Sequence, residues 1–123
     1  MAFKTKMSTR FARKAAPVRA KDVCIIDTAS VAGTKRIEGF EGVASSLGIA
    51  DKLLFKRNRK NKFDEWTVDV YTQEGKRIGL LPLGENEIVA RLLDSNRTVY
   101  GRVKRLEQRS SWVNLEMRIF LAA

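Results

Sequence analysis

The sequence VNLEMRIFL, residues 113–121, alternates apolar with polar side chains through most of its length. Such alternation is typical of a β-strand that buries one face, because successive side chains of a strand point to opposite faces of the sheet. Residues 99–104 alternate in the same way. The polar segment 108–111 between these strands predicts a hairpin loop, so we expect the two strands to be antiparallel neighbours.

Four segments further upstream have the composition of short strands. They are residues 23–28 with an extension towards residue 32, residues 52–56, residues 66–71 and residues 77–82. The last two flank the segment 72–76, in which Gly75 supplies the positive φ that a tight reversal needs. We therefore expect a second hairpin, and six strands in all.

One predicted helix interrupts the strands. In residues 85–94, Ile88 and Val89 each precede a leucine by four positions, which is the spacing of an apolar helix face. Asn96 predicts where this helix ends. The segment 39–47 is a weaker candidate for a second helix, because it is rich in small residues and glycine.

Six strands and one or two short helices, in the order ββββαββ, predict a mainly β fold. We expect a small, partly closed antiparallel six-stranded barrel that resembles the oligonucleotide-binding fold, with a helix at one end. Its predicted core residues are Ile25, Leu53, Val68, Val70, Ile78, Leu92, Val103, Leu115 and Ile119.

The chain divides into a tail and a single predicted domain. Residues 1–21 contain seven basic side chains and no acidic one, which predicts a flexible basic tail. That tail is either a solubilising extension or an arm that binds phosphates. Residues 22–123 have enough apolar side chains to form one compact core.

The composition favours a polyanionic partner. Lys and Arg number 24 against 14 Asp and Glu, which gives the 123-residue chain a net charge of +10. A field of this strength attracts polyanions, and nucleic acid is the obvious one. No stretch approaches the roughly 18 apolar residues of a membrane-spanning helix, and the N-terminus lacks the apolar segment of a signal peptide. We expect no membrane partner, a cytoplasmic location and, in the apolar run around Cys24, a buried thiol.

Part of the positive charge is concentrated in one short segment. The sequence KRNRKNK, residues 56–62, carries five cations, and Phe63 follows at once. Cations neutralise backbone phosphates, while an aromatic ring stacks on an exposed base at roughly 1–3 kcal/mol. The candidate contacts are Lys56, Arg57, Arg59, Lys60, Lys62, Phe63 and Trp66. A solvated surface loop and a core tryptophan have the same residue types, so both interpretations stay open.

The region around this segment resembles a known family, the HIRAN domain. The resemblance lies in LFKRNRKNKFDEWTVDV at residues 54–70, GKRIGLLP at residues 75–82 and the helix candidate 85–94. In outline the family reads L-x-R-x-P-x-N-x-(Y/F)-D-x-N-A-I-x-V, then a glycine turn, then (V/I)-G-(Y/H)-(L/V)-P and a helix. VAGTKR at residues 31–36 is similar to its opening strand, whereas Arg59 and Trp66 stand where the family has proline and asparagine.

The resemblance implies a modified oligonucleotide-binding barrel that grips the 3′ end of single-stranded DNA. Such domains occur in some DNA translocases and as stand-alone bacterial or phage proteins. By this resemblance, Phe63 is the stacking face, Asp64 accepts a hydrogen bond from the terminal 3′-hydroxyl, and Asn61 shapes the loop or makes a polar contact. Lys35 and Arg36 approach from the opening strand.

Three functions remain open. The first is a non-enzymatic domain that binds single-stranded DNA or DNA 3′ ends, and the second is an adaptor for a protein partner in DNA repair or replication. The third is a metal-dependent nuclease that uses Asp64 and Glu65, although adjacent side chains of a strand do not converge on one ion. The chain has no histidine, so we expect no catalytic residue, no metal site and no cofactor.

Overall fold

The computed structural model describes residues 18–108 and 113–123. Most of the predicted tail, and the predicted loop beyond Gln108, lie outside these residues. The described elements are β1 (Val23–Ser30), a single 3-10 turn (Thr34–Arg36), α1 (Phe40–Ser46), β2 (Lys52–Arg57), β3 (Val68–Thr72), β4 (Arg77–Leu80), α2 (Asn86–Asp94), β5 (Val99–Gln108) and β6 (Val113–Leu121).

The six strands form one antiparallel sheet in the order β1-β6-β5-β2-β3-β4. Both predicted hairpins, β3–β4 and β5–β6, pair as expected, and Gly75 in the first has a φ of 92°. The sheet curls into a half-barrel accompanied by two short helices, so the predicted fold class is confirmed. Asn96, with a φ of 62°, follows α2 as predicted.

The two edges of the curled sheet meet at one point. Ala32, just after β1, exchanges two backbone hydrogen bonds with Leu80 of β4, at 2.8 and 3.0 Å. Gly79 makes this approach possible. A Cβ atom there would overlap the carbonyl oxygen of Ala32 and lie 2.6 Å from Cγ1 of Val31. We refer to this contact as the closure.

The core lies on the concave side of the half-barrel. Seven predicted core residues are buried there: Leu53, Val68, Val70, Ile78, Val103, Leu115 and Ile119. The other two, Ile25 and Leu92, are half-buried and pack against this cluster. Alternation in β6 is as predicted, with Val113, Leu115, Met117 and Ile119 buried and Arg118 exposed. Periodicity therefore identified the inner face of the sheet.

Two side chains expected inside are exposed. Cys24 was expected to be a buried thiol, but it is exposed, because β1 is an edge strand with an irregular register between Cys24 and Ile26. Ile88 was expected on the apolar face of α2, but it is 52% exposed. The helix buries Val89 and Ala90 instead, so its inner face is rotated from the one that the leucine spacing indicated.

Strand boundaries also differ from the prediction. The strand predicted over residues 66–71 begins at Val68 and ends at Thr72. Trp66 stays outside the sheet because its backbone N–H donates to Asp64 Oδ1, 2.9 Å away, inside a turn. The strand predicted over residues 77–82 ends at Leu80.

Candidate nucleic-acid interface

The segment between β2 and β3, residues 58–67, is a tightly hydrogen-bonded loop, here called the basic loop. Its ends are joined by the N–H of Asn58, which donates to the carbonyl oxygen of Thr67 at 2.9 Å. Asn58 Oδ1 accepts from the Lys60 N–H at 3.1 Å, and its Nδ2 donates to buried Asp69 at 3.2 Å. The loop is therefore anchored to the sheet at its base.

Asn61 shapes the tip of the loop. Its Oδ1 accepts from the N–H of Phe63 at 2.9 Å, and its Nδ2 donates to Thr67 Oγ1 at 2.9 Å. Thr67 Oγ1 in turn donates to the carbonyl oxygen of Asp64 at 2.9 Å. Short polar side chains of this kind satisfy loop backbone groups that no strand can pair. The resemblance implies that Asn61 either shapes the loop or makes a polar contact with DNA. These hydrogen bonds correspond to the loop-shaping role.

Asp64 joins the basic loop to helix α2. Its Oδ1 accepts from the N–H of Trp66 at 2.9 Å, and its Oδ2 accepts from Nδ2 of Asn86 at 2.7 Å. Asn86 lies in the first turn of α2 and is only 4% exposed. The half-buried carboxylate thus has a structural task in the unliganded protein, and each oxygen keeps capacity for a further hydrogen bond.

Arg57 points inward rather than towards solvent. Its side chain is 12% exposed, and Nε lies 3.0 Å from Oδ1 of Asp94 at the end of α2. The guanidinium also donates to the carbonyl oxygens of Thr67 at 3.0 Å and Glu65 at 3.1 Å. The Arg57 hydrogen bond is the largest cause that holds the pKa of Asp94 below its ordinary value. Arg57 therefore braces the loop against α2.

The other cations of the segment face outward. Arg59 also contacts Asp94, with Nη2 2.6 Å from Oδ1, but its side chain is 65% exposed. Lys60 and Lys62 are exposed, as is Lys56, whose Nζ lies 4.8 Å from the ring centre of Tyr71. These four exposed side chains form a cationic surface on and beside the basic loop.

The two aromatic candidates, Phe63 and Trp66, differ in their exposure to solvent. Phe63 is 98% exposed at the tip of the loop. Trp66 is half-buried and covered by two guanidiniums, with Arg91 4.5 Å and Arg57 5.8 Å from the ring. A ring already covered by cations has little face to offer a base, whereas Phe63 has both faces open.

Lys35 and Arg36 lie in the 3-10 turn after the closure, and both are exposed. The backbone places this turn near the base of the basic loop, because Ala32 pairs with Leu80, and Leu80 pairs with Asp69 of β3. All predicted contacts therefore belong to one end of the half-barrel.

Three residues of the site were missed from sequence: Asn86, Arg91 and Asp94. They belong to α2, where a polar residue is ordinarily solvated, and only the packing of α2 against the loop gives them a role.

Among residues 18–108 and 113–123, no group of three acidic, cysteine or histidine side chains could hold a metal ion. In the same part of the chain, no helix is both long and apolar enough to span a membrane.

The family model described as the HIRAN domain matches residues 28–123. A crystal structure of a protein from Lactobacillus plantarum superposes with a TM-score of 0.71 at 24% identity, covering 81% of this chain and 96% of that one. The crystal structure of the HIRAN domain of human HLTF gives a TM-score of 0.60 at 16% identity, covering 85% and 83% respectively. No curated protein matches at a significant level.

Proposed function

The chain belongs to the HIRAN domain family, a family of DNA-binding rather than catalytic domains, and we propose that it binds single-stranded DNA without catalysing a reaction. The contacts are phosphates on the exposed cations Lys56, Arg59, Lys60 and Lys62, and a base on Phe63. Phosphate contacts and stacking tolerate any base sequence, so this mode of binding needs no base-specific hydrogen bond.

The exposure of Phe63 carries this proposal. A phenylalanine that is 98% exposed gains nothing from the core, and its position at the loop tip is maintained by the hydrogen bond from its own N–H to Asn61. The ring stands among exposed cations, which attract a polyanion and do not supply an apolar partner. A base stacked on the ring would bury this face.

The finer proposal is recognition of a DNA 3′ end by Asp64. A carboxylate within a cationic loop repels an internal phosphate but accepts a hydrogen bond from a neutral terminal hydroxyl. Both Asp64 oxygens already accept one hydrogen bond inside the protein, which fixes their orientation and leaves lone pairs for a ligand. Lys35 and Arg36, at the same end of the half-barrel, would hold the adjacent phosphates.

A binding comparison with three DNAs tests both levels of the proposal. Fluorescence anisotropy would measure the affinity for single-stranded DNA with a free 3′-hydroxyl, for the same strand with a 3′-phosphate, and for duplex. We expect both single strands to bind more tightly than duplex, with log affinity falling linearly with log salt concentration. A preference for the free hydroxyl supports end recognition, and equal affinity for the two single strands refutes it.

A second candidate function is the adaptor for a protein partner. Leu83 is 79% exposed and Ile88 is 52% exposed, and both flank Asn86, which binds the basic loop through Asp64. Together with Phe63 they give this end of the molecule apolar groups that a protein partner could cover. Absence of binding to all three DNAs would favour this function over DNA binding.

A further inference from the structure

The outer face of the sheet carries a second group of cations, separate from the basic loop. Lys52 and Leu54 of β2 lie on this face because Leu53 between them is fully buried in the core. On the neighbouring strand, Arg102 pairs with Lys52, and Tyr100 pairs with Leu54. Two basic side chains and a tyrosine therefore converge where β2 meets β5.

The residues that precede β1 turn this area into a cleft of about 580 Å³. Its polar walls include Arg19, Lys21, Lys52, Gln73, Thr98 and Arg102. Tyr100 also lines the cleft; its ring stacks on Phe120 with centroids 5.5 Å apart, and Lys52 Nζ lies 4.8 Å from its centre. The cleft thus has a rigid aromatic wall and several hydrogen-bond donors.

Asp22 is the carboxylate side chain of the cleft, and its oxygens are already engaged. Oδ2 accepts from the hydroxyl of Tyr100 at 2.5 Å, and Oδ1 accepts from the N–H of Ala123 at 3.0 Å. The Tyr100 hydrogen bond, followed by the Ala123 amide, lowers the pKa of Asp22. Burial, reinforced by Asp22, raises the pKa of Tyr100 to about 12, so its hydroxyl remains a donor at neutral pH. Four cationic side chains therefore line the cleft together with the hydrogen-bonded Asp22 carboxylate and the last residue of the chain, Ala123.

Arg102 is the most buried cation of this group. The residue is only 8% exposed, its Nη1 donates to the carbonyl oxygen of Ala50 at 3.1 Å, and its guanidinium carbon lies 5.4 Å from the centre of the Tyr100 ring. Its buried Nε has no hydrogen-bond partner. Within residues 18–108 and 113–123, no carboxylate lies within ion-pair distance of its guanidinium. A buried charge without a counter-ion is unfavourable, so this guanidinium is suited to a bound anion.

We propose that this cleft binds a phosphate group, and that the phosphate belongs to the same single strand that the basic loop holds. The proposal rests on the function proposed above. A planar guanidinium with lysines around it is the donor set that phosphate prefers. Lys52 in the cleft and Lys56 beside the loop lie on one face of β2, four residues or about 13 Å apart. The outer face of β2 thus connects the two cationic areas.

A nuclear magnetic resonance titration of the full 123-residue chain separates the cleft from the loop. Amide shifts would be followed on addition of inorganic phosphate, of a single strand of about 12 thymidines, which is within the range of such folds, and of poly-glutamate. We expect phosphate and the oligonucleotide to shift Asp22, Lys52 and Arg102, and the oligonucleotide also to shift Lys60 and Phe63.

The outcomes distinguish failure of the cleft site from failure of the proposed function. Oligonucleotide shifts confined to the basic loop overturn the cleft site and leave the proposed function standing. Phosphate shifts in the cleft, with no response anywhere to the oligonucleotide, retain the phosphate site but refute both its assignment to the strand and the proposed function. A cleft that responds to poly-glutamate and not to phosphate overturns the proposed ligand chemistry.

A matched pair of double variants measures the effect on affinity. Lys21→Gln with Lys52→Gln removes two charges from the cleft, and Lys76→Gln with Arg105→Gln removes two exposed charges that do not line it. The cleft variant should bind the oligonucleotide about threefold to tenfold more weakly and lower the salt slope by about one to 1.5. The control variant should change affinity less than about twofold. Equal effects of the two variants would show a general field effect and overturn the site.

Discussion

The closure of the half-barrel and the basic loop are built in opposite ways. At the closure, two backbones approach so closely that Gly79 leaves no room for a Cβ atom. In the basic loop, short polar side chains tie the backbone together while the cations and Phe63 face solvent. A change at the closure should therefore act on stability, and a change at the loop surface on binding.

Gly79→Ala should have the largest effect, because the added methyl group overlaps Ala32 and Val31. We expect a loss of roughly 3 kcal/mol in the free energy of unfolding, the upper end of the usual penalty for overpacking, measured by urea denaturation. Gly42→Ala is the control: this glycine lies in α1 with open space around its Cβ position, so the variant should be as stable as the wild type or more stable. Equal stability of both variants would contradict the close approach at the closure.

Arg57 and Arg59 contact the same carboxylate, that of Asp94, so the two arginines can be compared through variants that each lose one positive charge. Arg57→Met should lower the free energy of unfolding by about 2 kcal/mol, because it removes hydrogen bonds to Asp94 and to two loop carbonyls. Arg59→Met should change stability by less than about 0.5 kcal/mol, as is usual for an exposed ion pair. Instead it should weaken DNA binding and lower the salt slope by about one. Similar stability losses would remove the distinction between the inward and outward arginines.

Phe63→Ala should reduce binding without reducing stability. Loss of one stacked base lowers the affinity for single-stranded DNA by roughly 1–3 kcal/mol, whether or not the 3′ end is free, and anisotropy measures the change. The melting temperature should stay the same, since the ring is 98% exposed. Leu83→Ala is the control, because it removes another exposed apolar side chain, one without an aromatic ring that could stack on a base. Unchanged DNA affinity in the Phe63 variant would exclude the stacking contact.

Asp64→Asn should affect both the stability of the protein and its binding of DNA, each to a modest extent. If the carboxylate accepts a hydrogen bond from a 3′-hydroxyl, affinity for free-ended DNA should fall by about 1–3 kcal/mol, while affinity for 3′-phosphorylated DNA should not fall. Because Asp64 also accepts from Asn86, Asn86→Ala is the control that breaks the same link to α2 without touching the carboxylate. Tighter binding of both DNAs by the Asp64 variant would show simple repulsion of phosphates and refute end recognition.

The pH dependence of stability should show the smallest effect. Arg57 and Arg59 hold the pKa of Asp94 below its ordinary value of 3.8 in the folded protein. A carboxyl group with a lowered folded-state pKa adds stability above pH 3.8, and this contribution is lost as the pH falls through the folded-state pKa. The difference in stability between wild type and Asp94→Asn, measured by denaturation, should therefore shrink below pH 3.8. A constant difference across that range would contradict the ion pair.

Much of the fold follows from local patterns. Alternation identified the buried residues of β6, the glycine-containing turn identified the β3–β4 hairpin, and leucine spacing located α2. The density of cations at residues 56–62 and the adjacent Phe63 indicated the candidate site. These features depend on neighbours within a few positions along the chain, so periodicity and composition suffice to predict them.

The tertiary structure alone decided which of the candidate residues face the solvent. Arg57 and Arg59 are indistinguishable by type, but Asp94, 37 positions beyond Arg57, holds the first inside and leaves the second exposed. Cys24 is exposed because its strand lies at the sheet edge, and the cleft at Arg102 exists because residues 19–22 lie across the outer face. Each outcome depends on contacts between distant segments, and a sequence pattern reports the face of an element but not what covers it.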